Sequence, residues 1–165
     1  MNANAEIMDK PVVSAFDIEV KKELSLPLEK RHLPLYVAEV DGQTKYIITL
    51  YGTGLCGPIW GYIALDADKN TVYGVNFSHA SETPGLGSNI VDKEFTDRFL
   101  IPVRRQIFDD KDTFVSILVQ KKSDRDPQND LHEIDAISGG TITSKGVEKM
   151  LRDCIGQYET YLKQK

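Results

Sequence analysis

Four apolar segments follow one another between residues 35 and 78, and short polar turns separate them. The segments are rich in β-branched and aromatic residues, which is typical of strands, and they span 35–39, 45–51, 59–65 and 71–78. Asp41-Gly42, between the first two, is a strong signal for a tight hairpin turn. Because no connection is long enough for a crossover helix, the pattern predicts an antiparallel sheet.

Apolar residues near the C-terminus recur with the spacing of one buried helix face. They predict a long helix over about 144–164, whose inward positions are Val147, Met150, Leu151, Cys154, Ile155, Tyr158, Tyr161 and Leu162. Between sheet and helix, the sequence predicts a short helix at 92–100, a buried strand at 114–119 and an exposed polar loop at 121–130. The predicted fold class is therefore α+β, an antiparallel sheet flanked by helices with a long helix at the C-terminus.

The first 34 residues are predicted to form a polar arm with short helical pieces, because prolines interrupt them. Leu24, Leu26 and Leu28 are expected to hold this arm against the rest of the molecule. Residues 35–165 then form one domain, as expected for a chain of 165 residues.

The composition is that of a soluble globular protein, with 41% hydrophobic and 27% charged residues. A net charge of −5 argues against nucleic acid as a partner. No run approaches the length of a membrane span, and the N-terminus lacks the pattern of a signal peptide. Two cysteines, Cys56 and Cys154, permit at most one disulfide, and the scattered histidines predict no metal site. Cys154 belongs to the helix stripe, so core packing is its expected role.

The segment 135–147, with the sequence DAISGGTITSKGV, places two glycines and several hydroxyls where a polar loop meets the last helix. Gly139 and Gly140 allow a ligand to approach the backbone, and a helix N-terminus presents free N–H groups to an anion. The hydroxyls that could serve as donors, acceptors or an attachment point are Ser138, Thr141, Thr143 and Ser144. The pattern indicates a phosphate site, although an ordinary capped helix start has the same composition.

Two further glycine-rich loops stand out, at 52–58 and 82–87. Because binding residues concentrate on loops held by a rigid scaffold, these two loops and 138–141 could converge on one ligand. The alternative is two unrelated turns and a helix cap. His79, just before the second loop, is either a hydrogen-bonded surface histidine or a catalytic one.

The chain resembles the family of C subunits of the sodium-translocating NADH:quinone reductase. The resemblance covers about residues 45–151 and is carried by GTGLCGPIWGYIALD (52–66), DKNTVYGVNFSH (68–79), ETPGLG (82–87) and DAISGGTITSKGV (135–147). The G subunit of the RNF electron-transport complex is also similar in the last motif, but less so at 52–66.

The resemblance implies an FMN that is joined through its phosphate to a threonine, in a motif Asp-x-x-(Ser/Thr)-Gly-Ala-Thr. The residues that match this motif, and that a flavin transferase would recognise, are Asp135, Ser138, Gly139 and Thr141. Thr141 would carry the phosphoester, with Thr143 as the internal alternative. Gly140 stands where the family pattern has alanine.

The resemblance also places the loop 82–87 against the flavin ring, with Thr83 and Leu86 in ring contact. Trp60 could stack on the ring, or it could be a core residue. The implied cofactor-binding set is Leu55, Glu82, Thr83, Gly85, Leu86, Gly87, Ser138, Gly139, Gly140, Thr141 and Thr143.

By the same resemblance, the chain is expected to be an electron-transfer flavoprotein subunit of a membrane complex that couples NADH oxidation and quinone reduction to sodium export. The sequence carries no dinucleotide fingerprint, so no independent catalysis is expected of this chain. No bound metal is expected either. The implied partners are the other subunits and a flavin transferase. The implied place is the periplasmic face of the inner membrane, after a removed N-terminal anchor helix. Alternatives are a G subunit-like RNF carrier, a non-redox flavin-binding regulator and a structural subunit without flavin.

Overall fold

A computed structural model describes Met1 and residues 13–164 of the chain. Its main element is a four-stranded antiparallel sheet in the order β1-β2-β3-β4, with bounds Leu35–Val40, Gln43–Thr53, Pro58–Leu65 and Val72–His79. Asp41 and Gly42 join the first two strands with φ of 51° and 74°. Two consecutive positive φ angles are what a tight hairpin turn requires. The four predicted strands, their antiparallel order and the hairpin are confirmed.

Helices and a second small sheet complete the α+β fold. The helices are α1 (Val20–Leu24), α2 (Lys93–Asp97), α3 (Thr141–Gly156) and α4 (Glu159–Leu162). Two short parallel strands, β5 (Leu118–Gln120) and β6 (Glu133–Asp135), pair with each other. Single 3₁₀ turns occupy Ala15–Asp17, Leu28–Lys30, Gly87–Val91, Lys122–Asp124 and Pro127–His132.

The core lies between the inner face of the sheet and α3. Every second residue of β3 is buried on the inner face of the sheet, and Ile59, Ile63 and Leu65 are fully buried. From α3, the predicted stripe is buried, with Val147, Met150, Leu151, Cys154 and Ile155 at 2% exposure or less. Each such side chain stabilises the fold by roughly 1.5–3 kcal/mol relative to an exposed position. Packing against the sheet therefore fixes the position of α3 and of its N-terminus.

The long C-terminal helix was predicted with the wrong bounds. It begins at Thr141, not at 144, and it ends at Gly156, where glycine is a poor helix former. Tyr158 is buried and donates its hydroxyl hydrogen bond to the carbonyl of Pro34 at 2.7 Å. This contact turns the chain, and α4 follows as a separate short helix.

The predicted strand at 114–119 was wrong over most of its length, since β5 begins only at Leu118. Ser116 has φ of 59°, a conformation that strand residues avoid. The N–H groups of Val115 and Ser116 also donate to the same carbonyl, that of Ile107, at 2.9 and 3.1 Å. Two neighbouring N–H groups that share one acceptor cannot continue a strand ladder.

The predicted helix at 92–100 is present but shorter. α2 stops at Asp97, because the N–H groups of Leu100 and Ile101 both donate to the carbonyl of that residue at 2.9 Å. Phe95 and Phe99 face inward and pack against Phe77, with ring centroids 5.9 and 5.7 Å away. The segment 121–130 is largely exposed, as predicted, although short 3₁₀ turns occur in it.

The described part of the arm, 13–34, contains the predicted short helical pieces, while residues 2–12 lie outside the described residues. Leu24 packs against the core. Leu26 and Leu28 do not hold the arm, because they are 38% and 56% exposed. Leu33, which is only 4% exposed, holds the arm instead. Across the described residues, no helix has both the length and the apolar character needed to cross a bilayer.

Candidate functional site

Three glycine-bearing loops meet at the N-terminus of α3, as one of the two sequence hypotheses expected: 52–58, 82–87 and 138–141. The carboxylate of Glu82, a residue that is only 4% exposed, joins them. Its Oε1 accepts a hydrogen bond from the backbone N–H of Cys56 at 2.8 Å. Its Oε2 accepts one from the hydroxyl of Thr143 at 2.6 Å. Glu82 therefore ties both loops to the first turn of α3.

Two glycines leave the space that this carboxylate occupies. A Cβ on Gly54 would lie 2.3 Å from Glu82 Oε1. A Cβ on Gly87 would lie 2.4 Å from Glu82 Oε2 and 2.5 Å from the hydroxyl of Thr143. Carbon atoms do not approach oxygen so closely, so any side chain at either position would displace the carboxylate.

The turn before α3 is closed by a hydrogen bond from the N–H of Gly140 to the carbonyl of Ile137 at 3.0 Å. Gly139 has φ of 73°, which favours glycine. The hydroxyl of Ser144 accepts a hydrogen bond from the N–H of Ile137 at 3.0 Å and holds the turn against the helix. A tight turn is thereby fixed directly in front of the helix end.

The N-terminus of α3 is open to an anion. Its cap residue is Gly140, which has no side chain to accept a hydrogen bond. Within the part of the chain that the structure describes, the N–H groups of Thr141, Ile142 and Thr143 donate to no protein atom. Free N–H groups and the positive end of the helix dipole together favour a phosphate at this point.

The four candidate hydroxyls differ in their accessibility. Thr143 and Ser144 are 1% and 0% exposed. The hydroxyl of Thr143 is hydrogen-bonded to Glu82, and that of Ser144 to the N–H of Ile137. Ser138 is exposed and Thr141 is partly exposed. Only the last two offer a hydroxyl that a ligand could reach.

The loop 82–87 presents an apolar side chain beside the turn. The carbonyl of Thr83 accepts hydrogen bonds from the N–H groups of Leu86 and Ser88 at 3.1 and 3.2 Å, which fixes the loop. Leu86 is 41% exposed, yet it lies so close to Gly139 that a Cβ there would be 2.7 Å from Leu86 Cδ2. Leu55, on the first loop, is 57% exposed. Together they offer apolar surface next to the helix N-terminus.

Other predicted residues lie in different settings. Trp60 is on the outer face of β3 and is 38% exposed, so its assignment to the core was wrong. His79 accepts a hydrogen bond through Nδ1 from the N–H of Glu82 at 3.2 Å, which agrees with the hydrogen-bonded alternative. Cys56 is exposed and Cys154 is buried, and both are free thiols.

Sequence reasoning missed two arginines that contact the motif. Asp135 lies at the end of β6, and its Oδ1 accepts a hydrogen bond from Arg125 Nη1 at 3.1 Å. Arg98 Nη1 donates to the carbonyls of Asp135 and Ala136 at 2.9 and 3.1 Å. Arg98 is 37 positions from Asp135 in the chain, and no local pattern marks it.

Comparison with known proteins agrees with this geometry. The model of the FMN-binding domain family matches residues 54–156, which contain nearly all of the three loops and the whole of α3. The crystal structure of the Na(+)-translocating NADH-quinone reductase C subunit from Parabacteroides distasonis ATCC 8503 covers 100% of this chain and 76% of that chain, with 41% identity and a TM-score of 0.86. The structure of Shewanella oneidensis NqrC covers 95% of this chain and 69% of that chain, with 26% identity and a TM-score of 0.66.

Among related sequences, the Na(+)-translocating NADH-quinone reductase C subunit of Yersinia pestis is 32% identical over 125 residues, which are 74% of this chain and 45% of that protein. The C subunit of Pseudomonas aeruginosa is 29% identical over 134 residues, 81% of this chain and 50% of that protein. The chain thus spans about half the length of these two relatives. On the family match and the agreement in fold, the chain belongs to the FMN-binding domain family and, within it, to the C subunits of sodium-translocating NADH-quinone reductases.

Proposed function

We propose that this chain carries FMN on Thr141 and transfers electrons as part of the C subunit of a sodium-translocating NADH:quinone reductase. The observation that carries the proposal is the position of Thr141. It is the first residue of α3, it is partly exposed, and three N–H groups beside it are free of protein acceptors within the described residues. A phosphate esterified to this hydroxyl would lie where the helix stabilises negative charge.

The residues around Thr141 fit a flavin phosphate. The turn holds two glycines, so the backbone can lie against a phosphate without a Cβ between them. A Cβ on Gly140 would lie 3.1 Å from Ile137 Cγ2 and 3.3 Å from the backbone carbonyl carbon of Leu86, so an alanine would need its neighbours to shift by only a few tenths of an ångström. The glycine that replaces the family's alanine therefore leaves the shape of the turn intact.

Burial supports Thr141 over Thr143 as the attachment point. Thr143 is 1% exposed and its hydroxyl donates to Glu82, so a phosphate there would need the carboxylate contact to break. Ser138 is the remaining accessible hydroxyl, but it lies within the turn, three residues before the first residue of α3.

Attachment requires an activated donor, because a phosphomonoester has no good leaving group. In the flavin dinucleotide FAD, the phosphate of the FMN half carries AMP. The Thr141 oxygen attacks that phosphorus, the Oγ–P bond forms, the pyrophosphate P–O bond breaks, and AMP leaves. A base of the flavin transferase takes the hydroxyl proton. The chain's own contribution is to hold Thr141 accessible and its helix end positive.

When bound, FMN supplies one- and two-electron chemistry, and the protein tunes it by packing and hydrogen bonding. The apolar surfaces of Leu86 and Leu55 are suited to contact a flat ring. Glu82, unlike Leu86 and Leu55, has no part in contacting the ring. One of its carboxylate oxygens accepts a hydrogen bond from Cys56 and the other from Thr143, so it holds the loops in place and does not contact the flavin.

The proposal extends to the setting of the domain. Residues 35–165 would form the FMN-binding domain, and residues 1–34 the arm that follows a membrane anchor. The domain would lie on the periplasmic face of the membrane and exchange electrons with partner subunits, while sodium export and NADH oxidation belong to the complex as a whole. The relatives' names support the assignment to such a complex.

The attachment is tested by coexpression with a flavin transferase, followed by intact-mass and peptide mass spectrometry. We expect a gain of one FMN less one water, located on Thr141. The Thr141→Ala variant should stay unmodified and folded, and Ser123→Ala, which removes an exposed hydroxyl outside the motif, should be modified like the wild type. Flavin on Ser138 or Thr143, or none on the wild-type chain, would refute the proposal.

The carrier role is tested by reduction kinetics of the flavinylated chain. We expect dithionite to reduce it and NADH alone to leave it oxidised, because the sequence has no dinucleotide fingerprint. A regulatory domain would retain flavin but would not restore quinone reduction to a complex that lacks its own C subunit. Rapid reduction by NADH alone would instead make the domain a dehydrogenase.

A further inference from the structure

The segment that leads into Thr141 is held by two arginines from distant parts of the chain. Arg98 follows α2, and its Nη1 donates to the carbonyls of Asp135 and Ala136 at 2.9 and 3.1 Å. Its Nη2 donates to Glu94 Oε1 at 3.0 Å, which fixes the guanidinium from the other side. One guanidinium therefore binds two successive carbonyls just after β6, where the ladder between β5 and β6 ends.

The second arginine, Arg125, binds the side chain of Asp135. Its Nη1 donates to Asp135 Oδ1 at 3.1 Å, and its Nη2 donates to the carbonyl of Glu133 at 3.1 Å and to the carboxylate of Asp130. Burial lowers the pKa of Arg125, but the hydrogen bonds and charges of Asp135 and Asp130 outweigh it and raise that pKa above its ordinary value.

A third guanidinium, that of Arg105, lies beside the same carboxylates. Arg105 is 2% exposed, and its Nε donates to the carbonyl of Glu133 at 2.8 Å. Its Nη1 lies 4.0 Å from Asp130 Oδ2. Burial lowers the pKa of Arg105, which shows that its charge is costly to desolvate. Arg125 thus pairs with both Asp130 and Asp135, Arg105 lies near Asp130, and the Asp135 carboxylate, although 35% exposed, belongs to this ion network.

Hydrogen bonds connect this ion network to the attachment turn. The N–H of Ala136 donates to the carbonyl of Gln120 at 2.7 Å. The N–H of Ile137 donates to the Ser144 hydroxyl at 3.0 Å, and its carbonyl accepts from Gly140 at 3.0 Å. A shift of the backbone at 135–136 would therefore move the turn that places Thr141.

We propose that Arg98, Arg125 and Asp135 are positioning residues for flavin attachment, and that Asp135 acts through Arg125 and not by contact with the flavin or the transferase. The inference rests on the proposed attachment at Thr141. It assigns a function to two arginines that lie outside the motif, and it gives the carboxylate six positions before the threonine a role in holding the turn.

The experiment measures the rate of flavinylation of the purified full chain by a flavin transferase with FAD, using intact mass. The variants are Asp135→Asn, Arg125→Gln, their double variant, and Arg98→Gln. We expect each single variant to be modified about tenfold more slowly, as the loss of a charge-assisted hydrogen bond implies. The double variant should be no slower than the slower single, because Arg125→Gln already removes the contact that Asp135→Asn removes. Arg152→Gln, an exposed arginine on α3, should match the wild type.

Amide hydrogen exchange of the unmodified chain gives a readout that does not depend on the transferase. The N–H groups of Ala136, Ile137 and Gly140 should exchange faster in Arg125→Gln and Arg98→Gln, and should be unchanged in Arg152→Gln. Should Arg125→Gln not fold, Arg125→Lys carries the same test, because it keeps the charge but loses the two-pronged contact to Asp135 and to the carbonyl of Glu133.

The outcomes separate this inference from the proposed function. If the wild-type chain is not modified on Thr141, the proposed function fails. If the wild type is modified, Asp135→Asn is slow, and Arg125→Gln reacts at the wild-type rate, then the transferase recognises Asp135 directly and the inference is overturned. Additive effects of the two changes in the double variant would overturn it as well.

Discussion

Replacing Thr143 by valine tests whether the buried Glu82 carboxylate holds the site together. Thr143 and Glu82 are 1% and 4% exposed, and the hydroxyl donates to Oε2 at 2.6 Å. Valine has nearly the same shape, so the loss comes from the hydrogen bond and not from a cavity. A hydrogen bond to a carboxylate contributes about 1.5–3 kcal/mol, and the buried oxygen has no water to replace the donor.

We therefore expect Thr143→Val to lower the free energy of unfolding by about 2–3 kcal/mol. For a domain of this size, the midpoint of thermal unfolding should fall by about 5–10 °C. Urea unfolding, followed by circular dichroism and by the fluorescence of Trp60, measures the difference directly.

The chain offers a matched control for this change. Thr44 also donates its hydroxyl hydrogen bond to a carboxylate oxygen at 2.6 Å, that of Glu39, but this pair is exposed on the hairpin. Thr44→Val should change the stability by less than about 0.5 kcal/mol. Equal small effects in Thr143→Val and Thr44→Val would show that Glu82 does not brace the loops.

Three further outcomes are expected. Gly61→Ala should lower the free energy of unfolding by more than about 3 kcal/mol, because its Cβ would lie 1.9 Å from the carbonyl oxygen of Asn76. In the same urea titration, Gly74→Ala should be neutral or slightly stabilising, because no atom lies within 4 Å of its Cβ. A thiol reagent should modify one cysteine per native chain, the exposed Cys56, and reach the buried Cys154 only after unfolding, as peptide mapping would reveal. Burial raises the pKa of Cys154 to about 11 from 9.0, so its stabilising effect is complete below pH 9 and is lost as the pH rises towards 11; over that range the wild type should lose about 2 kcal/mol more than Cys154→Ala, which keeps the buried Tyr158 whose pKa is also raised, and equal losses in the two proteins would refute the assignment.

The four strands and their order could be predicted from the sequence, because each depends on local features. Alternation along β3, β-branched residues in β2 and the Asp41-Gly42 turn act over a few residues, and short connections leave few topologies open. The buried stripe of α3 was predictable for the same reason. The glycines and hydroxyls at 138–144 also marked the loop from which this helix begins, and the anion site predicted there stays a prediction.

The ends of elements were decided by contacts that no local pattern contains. α3 stops where Tyr158 reaches the carbonyl of Pro34, 124 positions earlier in the chain. The apolar run at 114–119 was predicted as a strand, yet the Ile107 carbonyl draws two of its N–H groups out of any ladder. Hydrophobicity predicts that such residues are buried, but it does not predict which backbone partner they find.

The sequence by itself determined the scaffold, and it led to the hypothesis of a phosphate at a glycine-lined helix N-terminus, with the family resemblance supplying FMN. Only the tertiary structure decided which residues act together there. Glu82 meets Thr143 across 61 positions, and Arg98 meets Asp135 across 37. The physical reason is range: propensity and periodicity act between neighbours in the chain, whereas the bonds of a buried carboxylate or guanidinium depend on which distant segments packing brings within about 3 Å.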